Sequence, residues 1–302
     1  MSPRQRLFVF IAALLVMVTA VLSSIAYWQM RTELIKDIHR ELETSVHGNR
    51  AILESWATQR LNVIEAIAAR LPLADDPIPF LIAGKEAGRF MQTFVGYAVE
   101  EPEKRMIYNL PDRKPVPGYD PTARSWFKDA MTAKGAIFTE PYVSVRDNEL
   151  CVSVVQRINS RTPSAIGADI SLAEIVELVN AIELRTEAYA FLTTRDGRIV
   201  AYSKPDATLR HVAGVITGFD VSIIKAATDK AVVHELDLDG IPKYVVASLI
   251  PGADWVLCIV VDKAAVLSPL RPLLWGLMLV GLVVALLSAL IASQVSSRLL
   301  RK

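Results

Sequence analysis

Residues 7–30 and 272–297 contain no charged side chain. Each stretch exceeds the ~20 apolar residues that carry a helix across the hydrocarbon of a bilayer, where a segment must satisfy its own backbone hydrogen bonds. Both read as spanning helices. Arg4 and Arg6 precede the first, and Arg298, Arg301 and Lys302 follow the second. Positive charge gathers on cytoplasmic flanks, so both termini are expected inside and residues 31–271 outside. Tyr27, Trp28 and Trp275 fall near the interfaces, where amphipathic rings prefer to lie. Ser24-Ile25-Ala26 offers small residues in the manner of a signal-peptide cleavage site. The apolar core is longer than the ~7–15 residues of a signal peptide and passes straight into a helical pattern, which favours an uncleaved anchor.

Composition enters next as an exclusion. The chain is 52% hydrophobic and 22% charged, with a formal net charge of +1. That balance lacks the basic excess that releases counterions from a phosphate backbone, so no nucleic-acid partner is expected. Cys151 and Cys258 lie far apart in apolar runs and read as buried free thiols, although an oxidising compartment would permit a disulfide.

Between the spans, residues 31–71 hold no Pro and only one Gly, Gly48, while Leu34, Ile38, Leu42, Val46, Leu53, Trp56, Ile64, Ile67 and Leu71 recur at helical spacing. One long helix is predicted, about 60 Å at 1.5 Å per residue. It would serve as a spine for what lies beside it and as a contact with the same helix of a second chain. Leu71-Pro72 and the Pro-containing run from Asp75 to Pro79 end it. Residues 90–99, 105–109, 150–158 and 165–170 are strand-like, with a polar loop and a short helix between Tyr119 and Phe138. Ser171 and Glu174 form a capping-box pattern opening a helix to about residue 184. Further strands, 189–194 with 198–202 and 232–238 with 243–249, flank the turn pairs Asp196-Gly197 and Asp239-Gly240, and 255–261 adds a last one. Pattern alone thus gives an α+β chain, two antiparallel sheets in tandem hung on a long N-terminal helix.

The sequence lacks the nucleotide-binding P-loop, the nucleophile-elbow pattern, the zinc-protease helix motif and any C-x-x-C. His39, His47, His211 and His234 are scattered, and acidic pairs such as Asp75-Asp76 and Glu100-Glu101 sit in polar, turn-like surroundings. No catalytic or metal-binding constellation is expected, and no cofactor. One cluster stands apart. Tyr119, Arg124, Trp126 and Phe127 fall within nine residues and are followed by Tyr142 and Ser144. An Arg beside a Trp offers a forked donor to a carboxylate and flat apolar walls to the rest of a small ligand. Asp169 could supply an anion to an ammonium group. The plain alternative is a surface loop holding a structural Trp.

This cluster resembles the double Cache sensor domain of bacterial transmembrane receptors, most of all methyl-accepting chemotaxis receptors. The membrane-distal module of that family carries Y-x-x-x-x-R-x-W-Y, then Y-x-D, then a later Asp. Tyr119, Arg124, Trp126, Tyr142 and Asp169 match, whereas Phe127 stands in place of Tyr and Ser144 in place of Asp. The resemblance covers the chain from span to span. It implies two tandem PAS-like modules on the long helix: cytoplasmic 1–6, first span 7–30, signalling and dimer helix 31–71, membrane-distal ligand-binding module 72–185, membrane-proximal module 186–268, second span 272–297, and the start of a cytoplasmic linker at 298–302.

In the family's amino-acid binders the Arg and Trp hold the ligand's carboxylate and the acidic residues its amine. Here the carboxylate end is retained and the amine end weakened, so the expected ligand is a small carboxylate, either amino-acid-like or an organic acid. The expected function is sensing for chemotaxis in the cell inner membrane, as a homodimer, with the sensor domain periplasmic and the proximal module transmitting. Residues 296–300 look like the start of a HAMP linker, so a cytoplasmic output module, absent from this chain, is expected beyond it. The competing readings are a membrane-anchored protein-binding or assembly domain and the sensor of a histidine kinase or diguanylate cyclase.

Overall fold

A computed structural model describes residues 3–110, 114, 116–145, 148–182, 184 and 188–300. Arg301 and Lys302 lie outside them, as do the side chains of Arg4 and Arg298. The chain divides into two compact units, residues 1–42 with 262–302, and residues 43–261.

The first unit holds the membrane-length helices. α1 (Pro3–Arg70) is a single helix of 68 residues, and α7 (Leu270–Leu300) follows the short α6 (Lys263–Val266). The apolar parts of α1 and α7 are long enough to cross a bilayer and present their side chains outward, Phe10, Leu22, Leu279 and Leu286 among them. A surface this apolar is stable against lipid and not against water. The predicted span and the predicted long helix are one continuous element.

In the second unit the spacing of the later part of α1 is explained by burial. Leu53, Ala57, Arg60, Ile64 and Ile67 are buried at three- and four-residue steps, with Val46 two turns before them and Leu71 just past the helix end on the same stripe. Two sheets pack along it. The first contains β1 (Gln92–Tyr97), β2 (Met106–Tyr108), β3 (Ile137–Phe138), β4 (Tyr142–Val143), β5 (Leu150–Ile158) and β6 (Ser164–Ser171), in the order β2-β1-β6-β5-β3 with β4 also on β5. The second contains β7 (Ala188–Thr194), β8 (Ile199–Tyr202), β9 (Val232–Leu238), β10 (Ile241–Ile250) and β11 (Trp255–Asp262), in the order β8-β7-β11-β10-β9. The pairs β1–β2, β1–β6, β3–β5, β4–β5, β5–β6, β7–β8, β7–β11 and β9–β10 are antiparallel. The predicted strands at 150–158 and 232–238 match β5 and β9 residue for residue. Asp239 and Gly240 both have positive φ, 54° and 78°, the conformation that a two-residue hairpin turn requires.

Three features differ from expectation. α2 (Ile78–Gly88) occupies the stretch that the Pro-rich run had marked only as a break; Pro79 sits in its first turn, where a missing N–H costs nothing. The two-residue strands β3 and β4 carry too little pattern to be seen. α4 (Leu172–Asn180) ends earlier than residue 184, and its capping box is incomplete. Ser171 Oγ accepts from the Ala173 N–H at 3.2 Å, but the Glu174 carboxylate is paired instead with Arg60 of α1, Nη2 to Oε1 2.6 Å.

That pair belongs to the contact of α1 with both sheets. The buried Arg60 guanidinium lies 4.0 Å from the Trp56 ring centre. Trp56 meets Phe138 of the first sheet at 5.9 Å and Trp255 of the second at 6.3 Å, and those two rings are 5.1 Å apart. α4 joins the sheets and packs on strands of each. Cys151 and Cys258 are buried and not joined in a disulfide, and burial pushes the Cys258 thiol up in pKa.

Candidate ligand-binding site

The site is built where the chain leaves β2 and returns to the sheet. Asp120 Oδ1 accepts from the Thr122 N–H at 2.9 Å and from its hydroxyl at 2.7 Å, fixing a short 3-10 turn at Pro121–Ala123. Arg124 follows in extended geometry as the residue before α3 (Ser125–Thr132), so its side chain leaves the backbone outside the helix while Trp126 is already inside it. α3 lies on β5 and β6. The buried indole of Trp126 is pressed toward β1, where a Cβ on Gly96 would come within 2.7 Å of it; glycine there makes room for the ring. Phe94 meets the indole edge-on at 5.0 Å.

The result is a small cavity that opens to solvent. Six of the seven residues singled out in the sequence line it: Tyr119, Arg124, Trp126, Tyr142, Ser144 and Asp169. Phe127 is buried but is not among the lining residues; it packs edge-on behind Trp126 at 5.5 Å. Sequence reasoning missed Gln92, Phe94, Met106, Tyr108, Val116 and Val145, which are the other lining residues among those described.

One side of the cavity is rich in donors. The Trp126 Nε1–H donates to Tyr119 Oη at 3.0 Å, which leaves the Tyr119 hydroxyl hydrogen to find another acceptor. Burial pushes the Tyr119 hydroxyl up in pKa, against the pull of the Trp126 hydrogen bond and the Arg124 charge, so it stays a neutral donor. The Arg124 guanidinium lies 5.8 Å from the Tyr119 ring centre and has no ion-pair partner among the described residues.

Another part is organised around Asp169, which is 3% exposed. Gln92, Asp169 and Ser153 stand directly opposite one another on β1, β6 and β5. Gln92 Nε2 donates to Asp169 Oδ2 at 2.6 Å, and Ser153 Oγ and Tyr142 Oη donate to Oδ1 at 2.5 and 3.2 Å. Burial, and then the charge of Asp169, push the Tyr142 hydroxyl far up in pKa. Ser144 is held by its backbone, its N–H donating to the Glu149 carbonyl at 2.8 Å and its own carbonyl accepting from Asn148 at 2.9 Å. One signal in the sequence pointed to this group. Ser153 interrupts the apolar run from Cys151 to Val155, and a polar side chain at a buried strand position needs a partner. Gln92, at a strand end, gave no such signal.

Two antiparallel sheets in tandem, the first carrying a cavity lined by a cationic and an anionic side chain, occur in one chain with two membrane-length helices. The chain belongs to the Cache domain family, whose sequence pattern it matches over residues 14–270. It is 24% identical over 266 residues to the methyl-accepting chemotaxis protein PscA of Pseudomonas syringae pv. tomato, covering 84% of this chain and 40% of PscA. To the methyl-accepting chemotaxis protein McpG of Pseudomonas putida it is 29% identical over 163 residues, 53% of this chain and 25% of McpG. The chain thus spans less than half the length of these relatives. Among solved structures, the ligand-binding domain of the Pseudomonas fluorescens chemoreceptor CtaA in complex with L-isoleucine superposes with a TM-score of 0.67 at 22% identity, covering 79% of this chain and 98% of that one. That of the Pseudomonas aeruginosa chemoreceptor PctB in complex with L-Arg gives 0.64 at 22% identity, covering 76% and 97%. At this identity the likeness is one of fold.

Proposed function

We propose that this chain is the sensor part of a bacterial chemotaxis receptor of the inner membrane, with residues 31–271 on the periplasmic side. The ligand is a small carboxylate compound, amino-acid-like or an organic acid, bound in the first sheet's cavity. The observation that carries this reading is the convergence of Arg124, Tyr119 and Trp126 with Tyr142 and Asp169 around one cavity. The relatives' names support the chemotaxis role, and the amino acids held in the related structures support the size and the carboxylate of the ligand.

Arg124 presents a forked donor to the carboxylate. Tyr119 adds its hydroxyl hydrogen, oriented by the indole N–H that it accepts, so Trp126 acts by positioning Tyr119 and by walling the cavity. Phe94, Met106 and Val116 give the ligand an apolar surface. The transmission route follows the covalent chain: Asp169 lies at the end of β6, α4 begins three residues later, and Glu174 of α4 grips Arg60 of the spine helix. A ligand shifts the receptor only by its differential affinity for two arrangements, and this route couples the cavity to α1. The long helix also supplies the surface for a homodimer.

The test is a melting-temperature screen of the chain in nanodiscs against amino acids, organic acids, amines and purines, because a ligand that binds only the folded state raises that temperature. A saturable rise with carboxylate compounds that is lost in Arg124→Ala supports the reading. Stabilisation by amines or purines alone, or no stabilisation, refutes it.

A further inference from the structure

The first sheet ends in a segment that reaches two places at once. β3 and β4 lie on the same edge of β5, with Phe138 opposite Val154 and Tyr142 opposite Cys151. Three edge residues, Thr139, Glu140 and Pro141, therefore face two of β5, Val152 and Ser153, which is the one-residue excess of a β-bulge. Pro141 falls in that excess, where its missing N–H breaks no ladder bond. Thr139 ties the bulge back to β5. Its N–H donates to the Ser153 carbonyl at 2.8 Å, and its hydroxyl oxygen accepts from the Ser153 N–H at 3.0 Å.

One end of this segment stands in the cavity. Tyr142 lines it, with its hydroxyl 2.7 Å from Ser153 Oγ and 3.2 Å from Asp169 Oδ1. At the other end, four positions earlier, Phe138 stacks on Trp56 of α1 at 5.9 Å and meets Trp255 at 5.1 Å. Trp255 opens β11, the strand that the chain follows into α6. The Glu174–Arg60 pair ends on α1, whereas Phe138 touches the spine and the second sheet together. Two strands of two residues each, on a sheet edge, hold few ladder bonds, and elements held this way are the ones that shift at the lowest free-energy cost.

With the cavity as the ligand site, as proposed above, we infer that the bulged segment 137–143 is the coupling element of this domain. Tyr142 responds to the state of the cavity, and Phe138 passes that response to Trp56 and Trp255.

Fluorine NMR of the full chain in nanodiscs, with fluorotryptophan at every Trp and each signal assigned by a Trp→Phe variant, tests this. Tyr142→Phe, which takes a hydroxyl out of the cavity, is expected to shift the Trp56 and Trp255 signals by more than their linewidths. In a Phe138→Leu background the same change is expected to leave Trp255 unmoved; Phe138→Met, which also lacks the ring, serves if the Leu variant fails to fold. A merely structural ring contact would make the two substitutions additive at Trp255. A Trp255 signal that ignores Tyr142→Phe overturns the inference, as does a response that survives the loss of the Phe138 ring. L-isoleucine and L-malate, an amino acid and an organic acid, are the ligand probes. A probe that moves the signal of Trp126, in the cavity wall, is expected to move Trp255 too. Movement of Trp126 alone overturns the coupling and leaves the carboxylate site standing. If neither probe moves Trp126, that counts against the carboxylate reading, and the Tyr142→Phe comparison, which needs no ligand, still decides the coupling.

Discussion

The two sheets share a strand order once β3 and β4, which pair with successive stretches of β5, are taken together as one edge, and they differ in chemistry at one rung of the central pair. In the first sheet the end of the central pair is Gln92 opposite Asp169, with Ser153 completing the row. In the second sheet the corresponding pair of β7 and β11 is Ala188 opposite Val261. The space over the sheets differs in the same sense. Above the first, Trp126 and Phe94 leave a cavity beside the polar row. In the second, Ile216, Phe219, Ile223 and Ile224 pack with Phe191 and Tyr202 into one apolar cluster that also takes in α5 (Ser222–Ala226). The same topology is thus closed by oil in one copy and held open with charge in the other. A buried carboxylate with three donors contributes little net stability compared with an apolar residue of the same shape, which supports the binding role proposed for the first sheet.

The strongest way to break the comparison is to place the first sheet's anion in the second. Val261→Asp buries a carboxylate without the donors that surround Asp169, and a loss of roughly 3–5 kcal/mol is expected in a denaturant melt. A loss under about 1 kcal/mol would show that the second sheet can host the same chemistry. Phe219→Ala empties the apolar filling and should cost about 3 kcal/mol while leaving ligand affinity in the first sheet unchanged, measured by melting and titration side by side. Arg124→Ala reverses that pattern: affinity for a carboxylate ligand falls about ten- to a hundredfold, equivalent to roughly 1.5–3 kcal/mol, with stability altered by less than about 0.5 kcal/mol. Asp120→Ala removes the cap of the turn that sets Arg124 and should cost about 1 kcal/mol, read as a lower melting temperature.

The smallest difference at neutral pH concerns Tyr142. Its folded-state pKa is raised, so its contribution is fully present below the ordinary tyrosine value of about 10 and is lost as pH rises above it. Tyr142→Phe should therefore flatten part of the alkaline fall in stability, and an unchanged alkaline limb in a pH series of melts would contradict this.

Much of the fold was legible because its elements carry strong periods. The α1 stripe and the Asp-Gly hairpins follow directly from side-chain spacing and turn chemistry, and the ends of β5 and β9 coincide with the expectation. Elements held by contacts rather than by pattern were not legible. β3 and β4 are two residues each, yet they bring Phe138 to Trp56 and Tyr142 to Asp169. Glu174 illustrates the same limit, since its spacing from Ser171 suits a capping box but a buried Arg60 offers a stronger, charged partner.

The sequence by itself determined the two membrane-length helices, the spine, the tandem sheets and the Tyr119, Arg124, Trp126 cluster, because each is a local property of residue type and spacing. Only the tertiary structure decided what completes the site. Gln92, Ser153 and Asp169 are separated along the chain by up to 77 positions and meet through strand register, which no local pattern encodes. Register is fixed by the buried faces of whole strands, since a slip of one residue would turn every side chain to the other face. The polar row around Asp169 is therefore a consequence of how the entire first sheet packs.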